Sequence, residues 1–308
     1  MKTVIETESL GKRYGEIQAV EGLSLRVSEG EIYAFLGLNG AGKTTTIRML
    51  LGMIRPTSGS ATVLGTRVRM GSLEPWATVG YMVEDPHAYE ELTVRENLEV
   101  ARRLHPGTPE KAVGETIERL GLAAYADRRT GTLSHGNAQR LGLAKAMLHK
   151  PRLLILDEPA NGLDPAGIVE IRELLLELTA GQGGTVFLSS HILAEVSRLA
   201  GRVGIIHQGQ LLREMDAAVL EHERRRRLLL NVREIEPARK VLLAAGHLAT
   251  RLMDGTLELQ ERASIEKPEA INRLLVETGF PPSRLMVEEE PLEEFFLRLV
   301  GSGENHHE

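Results

Sequence analysis

Residues Gly37 to Thr45 read GLNGAGKTT, with glycines at 37, 40 and 42, a lysine at 43 and hydroxyls at 44 and 45. Glycine lets the backbone turn with its amides pointing inward, and a helix opening near Lys43 adds unpaired N–H groups and the positive end of its dipole. Together they form a cage for phosphate. In the pattern G-x-x-x-x-G-K-[ST] the lysine reaches the β- and γ-phosphates and the next hydroxyl ligates Mg2+. These roles fall to Lys43 and Thr44, with Gly37, Leu38, Asn39, Gly40, Ala41, Gly42 and Thr45 around the phosphates. Asp157 and Glu158 are the second group with chemistry. One carboxylate suits a water-mediated hold on Mg2+, and the other suits orienting and deprotonating a water that attacks a γ-phosphate. The bland readings are a glycine turn with a chance lysine and a solvated pair of acids. Many nucleotide hydrolases share this loop, so by itself it names no function.

The elements these residues need are legible around them. GEIYAFLG is an apolar run of strand length and TTTIRMLLGMI has helical spacing, so the loop lies between a strand and a helix. RLLILDEP reads as a buried parallel strand whose carboxyl end meets a ligand. The next helix has Asp164 as N-cap, Pro165 at its first position and Gly181 as its stop. AVEGLSLRVSEGEIYAF, GTVFLSSH and RVGIIHQGQLL add strands, while residues from about 88 to 150 turn helical, TVRENLEVARRL and PEKAVGETIERLGL most clearly. This order gives an α/β core with an inserted helical lobe. After about Met215 the pattern restarts as strand, helix, hairpin on Asp254-Gly255, helix and strand. That is the βαββαβ order of a ferredoxin-like α+β domain, followed by an amphipathic helix in PLEEFFLRLVG. The expected domains are 1–215 and 216–308. The closing GSGENHHE reads as a frayed polar tail rather than a metal site, and ERRRRL, Arg224 to Arg227, as a solvated linker face.

The 308 residues carry a net charge of −6 and no cysteine. That excludes disulfides, thiolate zinc sites and iron–sulfur clusters, and argues against broad attraction to nucleic acid or anionic lipid. MKTVIETESLGKRYG lacks the apolar stretch of a signal peptide and no run approaches membrane-spanning length, so the expected location is the cytoplasm.

One ordered set of motifs carries a resemblance. LSHGNAQRLGLAKAMLHKPRLLILDEPANGLDP, at its distance from the phosphate loop, resembles the signature, Walker B and D-loop block of ATP-binding cassette (ABC) ATPases over roughly residues 1 to 215. The resemblance implies a phosphate-loop, RecA-like core with an antiparallel β subdomain, and ATP and Mg2+ as ligands. Tyr14 in KRYG takes the place of the aromatic that stacks on adenine. Glu84 in GYMVEDP takes that of the Q-loop residue, beside Thr44 and Asp157 as a metal ligand. His191 in LSSH takes that of the switch histidine contacting the γ-phosphate and the attacking water, beside Glu158. Ser134 and Gly136, where a helix begins, would complete the site of a second copy or a related cassette, with two ATP molecules in a head-to-tail sandwich. The resemblance also implies a separate integral-membrane permease, with this chain peripheral at the inner face of the membrane.

Four positions depart from the family pattern. Leu38 replaces a proline, Asn137 a glutamine and Glu84 a glutamine, while His135 replaces the first signature glycine. If that position required positive φ, the histidine would be strained. At the Q-loop position a carboxylate binds Mg2+ more strongly than an amide and repels the γ-phosphate. The expected function is the ATP-hydrolysing subunit of an ABC transporter, of the kind serving multidrug, lantibiotic or bacitracin-type exporters. The alternative is a soluble ABC ATPase acting on the ribosome or DNA. A second cassette or long coiled coils would mark that alternative, and the sequence shows neither; nor does a phosphotransferase reading find an acceptor site.

Overall fold

A computed structural model describes residues 2–71, 76–84, 86–223, 225–290, 294, 295 and 298. The chain divides into two compact units, Met1–Val219 and Leu220–Glu308.

The first unit contains two sheets. β1 (Thr3–Tyr14) and β2 (Ile17–Leu23) form a hairpin, β3 (Arg26–Ser28) pairs with β1, and β5 (Ser58–Val63) and β6 (Thr66–Arg67) extend the same antiparallel sheet in the order β2-β1-β5-β6. The second sheet holds β4 (Ile32–Leu36), β7 (Val79–Met82), β8 (Leu153–Leu156), β9 (Thr185–Ser190), β10 (Arg202–His207) and β11 (Gln210–Asp216) in the order β11-β10-β4-β9-β8-β7. Its pairings are parallel except β10 with β11. Every residue of β4, β8 and β9 is buried, which explains why these strands read as unbroken apolar runs: both faces are covered. Their carboxyl ends carry the chemistry-bearing loops.

α1 (Lys43–Leu50) follows β4 directly and turns Ile47, Met49 and Leu50 into a core shared with Val4, Leu10, Val27, Phe35 and Phe187. Tyr33 stacks on Phe187 at 5.6 Å between centroids, and its hydroxyl donates to Glu214 at 2.7 Å. Burial first, and that carboxylate second, hold the phenol well above its ordinary pKa.

The helical stretch holds α2 (Val94–Leu104), α3 (Lys111–Arg119) and α4 (His135–Met147). A reciprocal capping box between Thr93 and Glu96 starts α2. Asn97, 1% exposed, bonds Tyr89 through both its amide groups and so fixes the loop that enters the helix. α5 (Pro165–Gln182) begins on Asp164 and Pro165 as expected, but it runs through Gly181 and stops at Gly183, whose φ of 64° is the left-handed turn that ends a helix. α6 (Leu193–Leu199) follows β9.

In sequence order, α7 (Ala217–Glu223), β12 (Arg226–Asn231), α8 (Ile235–Ala244), β13 (Ala249–Arg251), β14 (Leu257–Leu259), α9 (Arg262–Glu266), α10 (Pro268–Glu277) and β15 (Arg284–Glu289) complete the described elements. The sheet order β13-β14-β12-β15, antiparallel throughout, is the 4-1-3-2 order of a ferredoxin-like sheet read from its far edge. Leu228, Leu230, Leu257 and Leu259 meet Ala238 and Leu242 of α8 and Ile271 and Leu275 of α10 in a core of their own. Asp254 accepts from Thr256 N at 2.9 Å, and Gly255 supplies the positive φ of the hairpin turn.

The linker reading of Arg224 to Arg227 is corrected in part. Arg226 and Arg227 belong to β12, and Arg227, with a side chain only 19% exposed, pairs with Glu258, Glu288 and Glu294. Strand pairing turns alternate side chains onto a covered face, which a run of like charges does not reveal. Arg224, the GSGENHHE tail and most of PLEEFFLRLVG lie outside the described residues.

Candidate functional site

β4 leads into the phosphate loop, where two glycines are required by geometry. A Cβ on Gly37 would stand 2.6 Å from the Ile206 carbonyl oxygen, and one on Gly42, at φ 105°, would stand 2.5 Å from that of Ala19. Both neighbours are backbone and cannot yield. Gly40 turns at φ 79°. Lys43, 6% exposed, donates from Nζ to the loop carbonyls of Gly37 at 2.6 Å and Leu38 at 3.2 Å. The ammonium is thereby held across the mouth of its own loop.

The acidic pair closes the site from β8. Asp157, 3% exposed, accepts from Thr44 Oγ1 at 2.7 Å and from Ser189 Oγ at 2.5 Å. Glu158 places Oε1 at 3.2 Å from Lys43 Nζ and Oε2 at 2.9 Å from His191 Nδ1. Its backbone sits at φ 49°, a left-handed conformation unusual for glutamate. Two partners hold its backbone. Ser189 Oγ accepts from Glu158 N at 3.0 Å, and Gln139 Nε2 donates to Glu158 O at 3.2 Å. Positive φ at this carboxylate is strain retained because its surroundings over-determine it. Glu158 Oε1 is buried and accepts no hydrogen bond, so the nearby Lys43 ammonium is its compensation.

The residues present fit Mg2+. The Thr44 hydroxyl and the Asp157 carboxylate converge as hard oxygen donors at the mouth of the phosphate loop, the donor set this ion takes when phosphate oxygens and water fill its remaining positions.

Of the residues singled out from sequence, Lys43, Thr44, Asp157, Glu158 and His191 come together in this cluster, with Gly37 and Leu38 through their carbonyls. Asn39, Gly40, Ala41, Gly42 and Thr45 complete the loop and the first turn of α1, where Ala41 O accepts from Gly209 N at 2.9 Å. Four others make contacts outside it. Tyr14 stands 44% exposed at the end of β1, with Lys12 Nζ over its ring, 4.9 Å from the centroid. Ser134 is the N-cap of α4, accepting from Asn137 N at 3.4 Å, and Gly136 lies in the first turn. Glu84, expected beside Thr44 and Asp157, instead pairs with Arg48 Nη2 at 2.5 Å. The strain entertained for His135 does not arise, because it is the first helical residue of α4 and is absent from the positive-φ residues. Its ring packs over Gly162, where a Cβ would come within 2.0 Å of it. Sequence reading passed over Ser189 and Gln139; the only signal was a hydroxyl in a buried strand, in LSSH, and an amide within the NAQRL stretch.

Fold and site together define a nucleoside-triphosphate hydrolase of the phosphate-loop class. Residues 20–161 match the family model described as "ABC transporter", and residues 130–197 also match one described as "AAA domain, putative AbiEii toxin, Type IV TA system". The chain is 40% identical over 307 residues to the bacitracin transport ATP-binding protein BcrA of Bacillus licheniformis, covering 98% of this chain and 99% of that one. It is 36% identical over 213 residues to the lantibiotic transport ATP-binding protein SrtF of Streptococcus pyogenes, 69% of this chain and 91% of that one. Among solved structures, one described as the ATP-binding subunit of an ABC transporter superposes with a TM-score of 0.66 at 30% identity, over 72% of this chain and 93% of the other. The chain belongs to the ABC transporter ATP-binding proteins, the ATP-hydrolysing subunits of these transporters. Among the described residues no helix is long and apolar enough to cross a membrane.

Proposed function

We propose that this chain powers export of a peptide antibiotic of the bacitracin or lantibiotic kind through a separate integral-membrane permease, working as a pair of cassettes at the cytoplasmic face. The observation that carries this reading is the 40% identity to a bacitracin transport ATP-binding protein along essentially the whole chain, the second unit included. The alignment with the lantibiotic relative spans 213 residues, about the length of the first unit alone.

In this reading Lys43 leaves its loop carbonyls for the β- and γ-phosphates, the loop amides wrap the phosphate chain, and Tyr14 carries the adenine. Glu158 takes a proton from the attacking water, with His191 fixing its carboxylate through Nδ1. Thr44 and Asp157, joined by Glu84, would hold Mg2+, which would supply positive charge against the negative charge that builds on the phosphate oxygens. Ser134 and the first amides of α4 face no phosphate within their own chain and supply the second half of a partner's site. The paired state is a homodimer or a dimer with a related cassette.

Two experiments test this. Glu158→Gln, purified and saturated with Mg-ATP, sediments as a dimer; a monomer under those conditions refutes the sandwich. Host cells that make this chain with its permease survive bacitracin or a lantibiotic, and lose that resistance with Glu158→Gln. Equal survival with the variant refutes export of this cargo.

A further inference from the structure

We infer that Arg48 is a positioning residue for the metal site, holding the Glu84 carboxylate away from it until the divalent cation displaces the ion pair. This rests on the reading that Glu84 serves the metal. Thr44 and Arg48 are four residues apart on α1, so their side chains lie on one face of the helix, a single turn of about 5 Å apart. The Thr44 hydroxyl is already joined to Asp157 at the phosphate-loop end of that face. One turn further along, Arg48 Nη2 meets Glu84 Oε1 at 2.5 Å. One helix face thus carries both the Thr44 hydroxyl and the guanidinium that engages Glu84.

Three features make this pair more than a chance surface contact. Glu84 holds its backbone at φ 57°, a conformation that glutamate adopts only with support. Position 84 carries a full negative charge where the family pattern has a neutral amide, so a carboxylate loose beside a triphosphate would repel it. Arg48 supplies the compensating charge from the same helix that supplies the metal-ligating hydroxyl. Both side chains reach solvent, at 36% and 52% exposure, so the pair is weak enough to open. The Arg48 contact fixes the Glu84 side chain against the second turn of α1, so a carboxylate that swings to the metal gives up that contact, and metal binding competes with it.

The test measures cation affinity directly. Mn2+ binding to the full chain in the non-hydrolysing Glu158→Gln background, with saturating ATP, is followed by electron paramagnetic resonance. Arg48→Met tightens Mn2+ binding by about two- to five-fold, the range of an exposed ion pair. Arg48→Lys keeps the pair and leaves the affinity near the parent's. With Glu84→Gln also present, Arg48→Met produces no change. No tightening in the Glu84 protein overturns the proposal. Equal tightening in both backgrounds also overturns it, because only the through-space loss of a positive charge would remain. Glu84→Gln alone separates the underlying reading: if it weakens Mn2+ binding while Arg48→Met does nothing, only the role of Arg48 falls. If it leaves Mn2+ binding unchanged, Glu84 is not a metal ligand and both fall.

Discussion

His105, at the end of α2, and His149, just past α4, stack face to face with centroids 3.7 Å apart and planes within 4°. Both ring nitrogens of His149 are buried without a well-formed hydrogen bond. Burial first, and the neighbouring imidazole second, push His149 down from 6.5 to about 4, the Val79 backbone offsetting only part of the effect; burial also lowers His105. Lys145 and Lys150 border the same region, and Lys145 is itself shifted down by burial. No carboxylate pairs with either histidine among the described salt bridges, so only the Val79 backbone favours an imidazolium there.

The sign follows from linkage. The folded value lies below the unfolded one, so the contribution is fully present above pH 6.5 and is lost as pH falls toward 4. The whole shift corresponds to about 3 kcal/mol. Because the half-buried ring is partly screened by solvent, about 1–2 kcal/mol is expected in practice. His149→Leu removes the titrating group and two unsatisfied buried nitrogens. At pH 7.5 it stays within about 1 kcal/mol of the parent, and at pH 5 the difference moves in the variant's favour by about 1 kcal/mol. Urea unfolding at both pH values measures this. The sole tryptophan, Trp76, lines the same ~580 Å3 cavity as the two histidines, so its fluorescence reports on the first unit rather than on the second. Parallel losses of stability in parent and variant between pH 7.5 and 5 refute the account.

Gly42→Ala forces a Cβ against the Ala19 carbonyl at φ 105°; it costs about 2–4 kcal/mol and removes ATP binding, read by denaturation and by calorimetric titration with nucleotide. Tyr14→Ala removes an exposed ring without opening the core, so it raises the KM for ATP about ten-fold while the melting temperature holds; an unchanged KM assigns the base to another surface. Glu158→Gln lowers kcat by about 10²–10⁴ while ATP affinity is retained or improves, because Lys43 loses its ionic partner at 3.2 Å; turnover within ten-fold of the parent assigns water activation elsewhere.

Much of this was legible along the chain because its causes are local. The phosphate loop is spelled by Gly37, Gly40, Gly42, Lys43 and Thr44 in sequence, and the strand and helix that flank it declare themselves by apolar spacing. Asp164 and Pro165 mark the start of α5, and the Asp254-Gly255 turn marks its hairpin, since caps and turns are decided by a few adjacent residues. The helix stop misassigned to Gly181 shows the limit: both Gly181 and Gly183 offer a stop, and the left-handed turn falls on the second.

Only the tertiary structure decided which distant groups meet. The Thr44 and Asp157 contact spans 113 positions and the His191 and Glu158 contact 33. Both exist because a parallel sheet sets β4, β9 and β8 side by side with their carboxyl ends together. The clamp of Ser189 and Gln139 on a left-handed Glu158 and the meeting of Arg48 with Glu84 have the same origin, while the antiparallel pairing of β12 with β14 and β15 turns Arg227 into its covered network. Each depends on strand order and helix placement, which crossover connections and burial determine across the whole unit and which no window of neighbouring residues encodes.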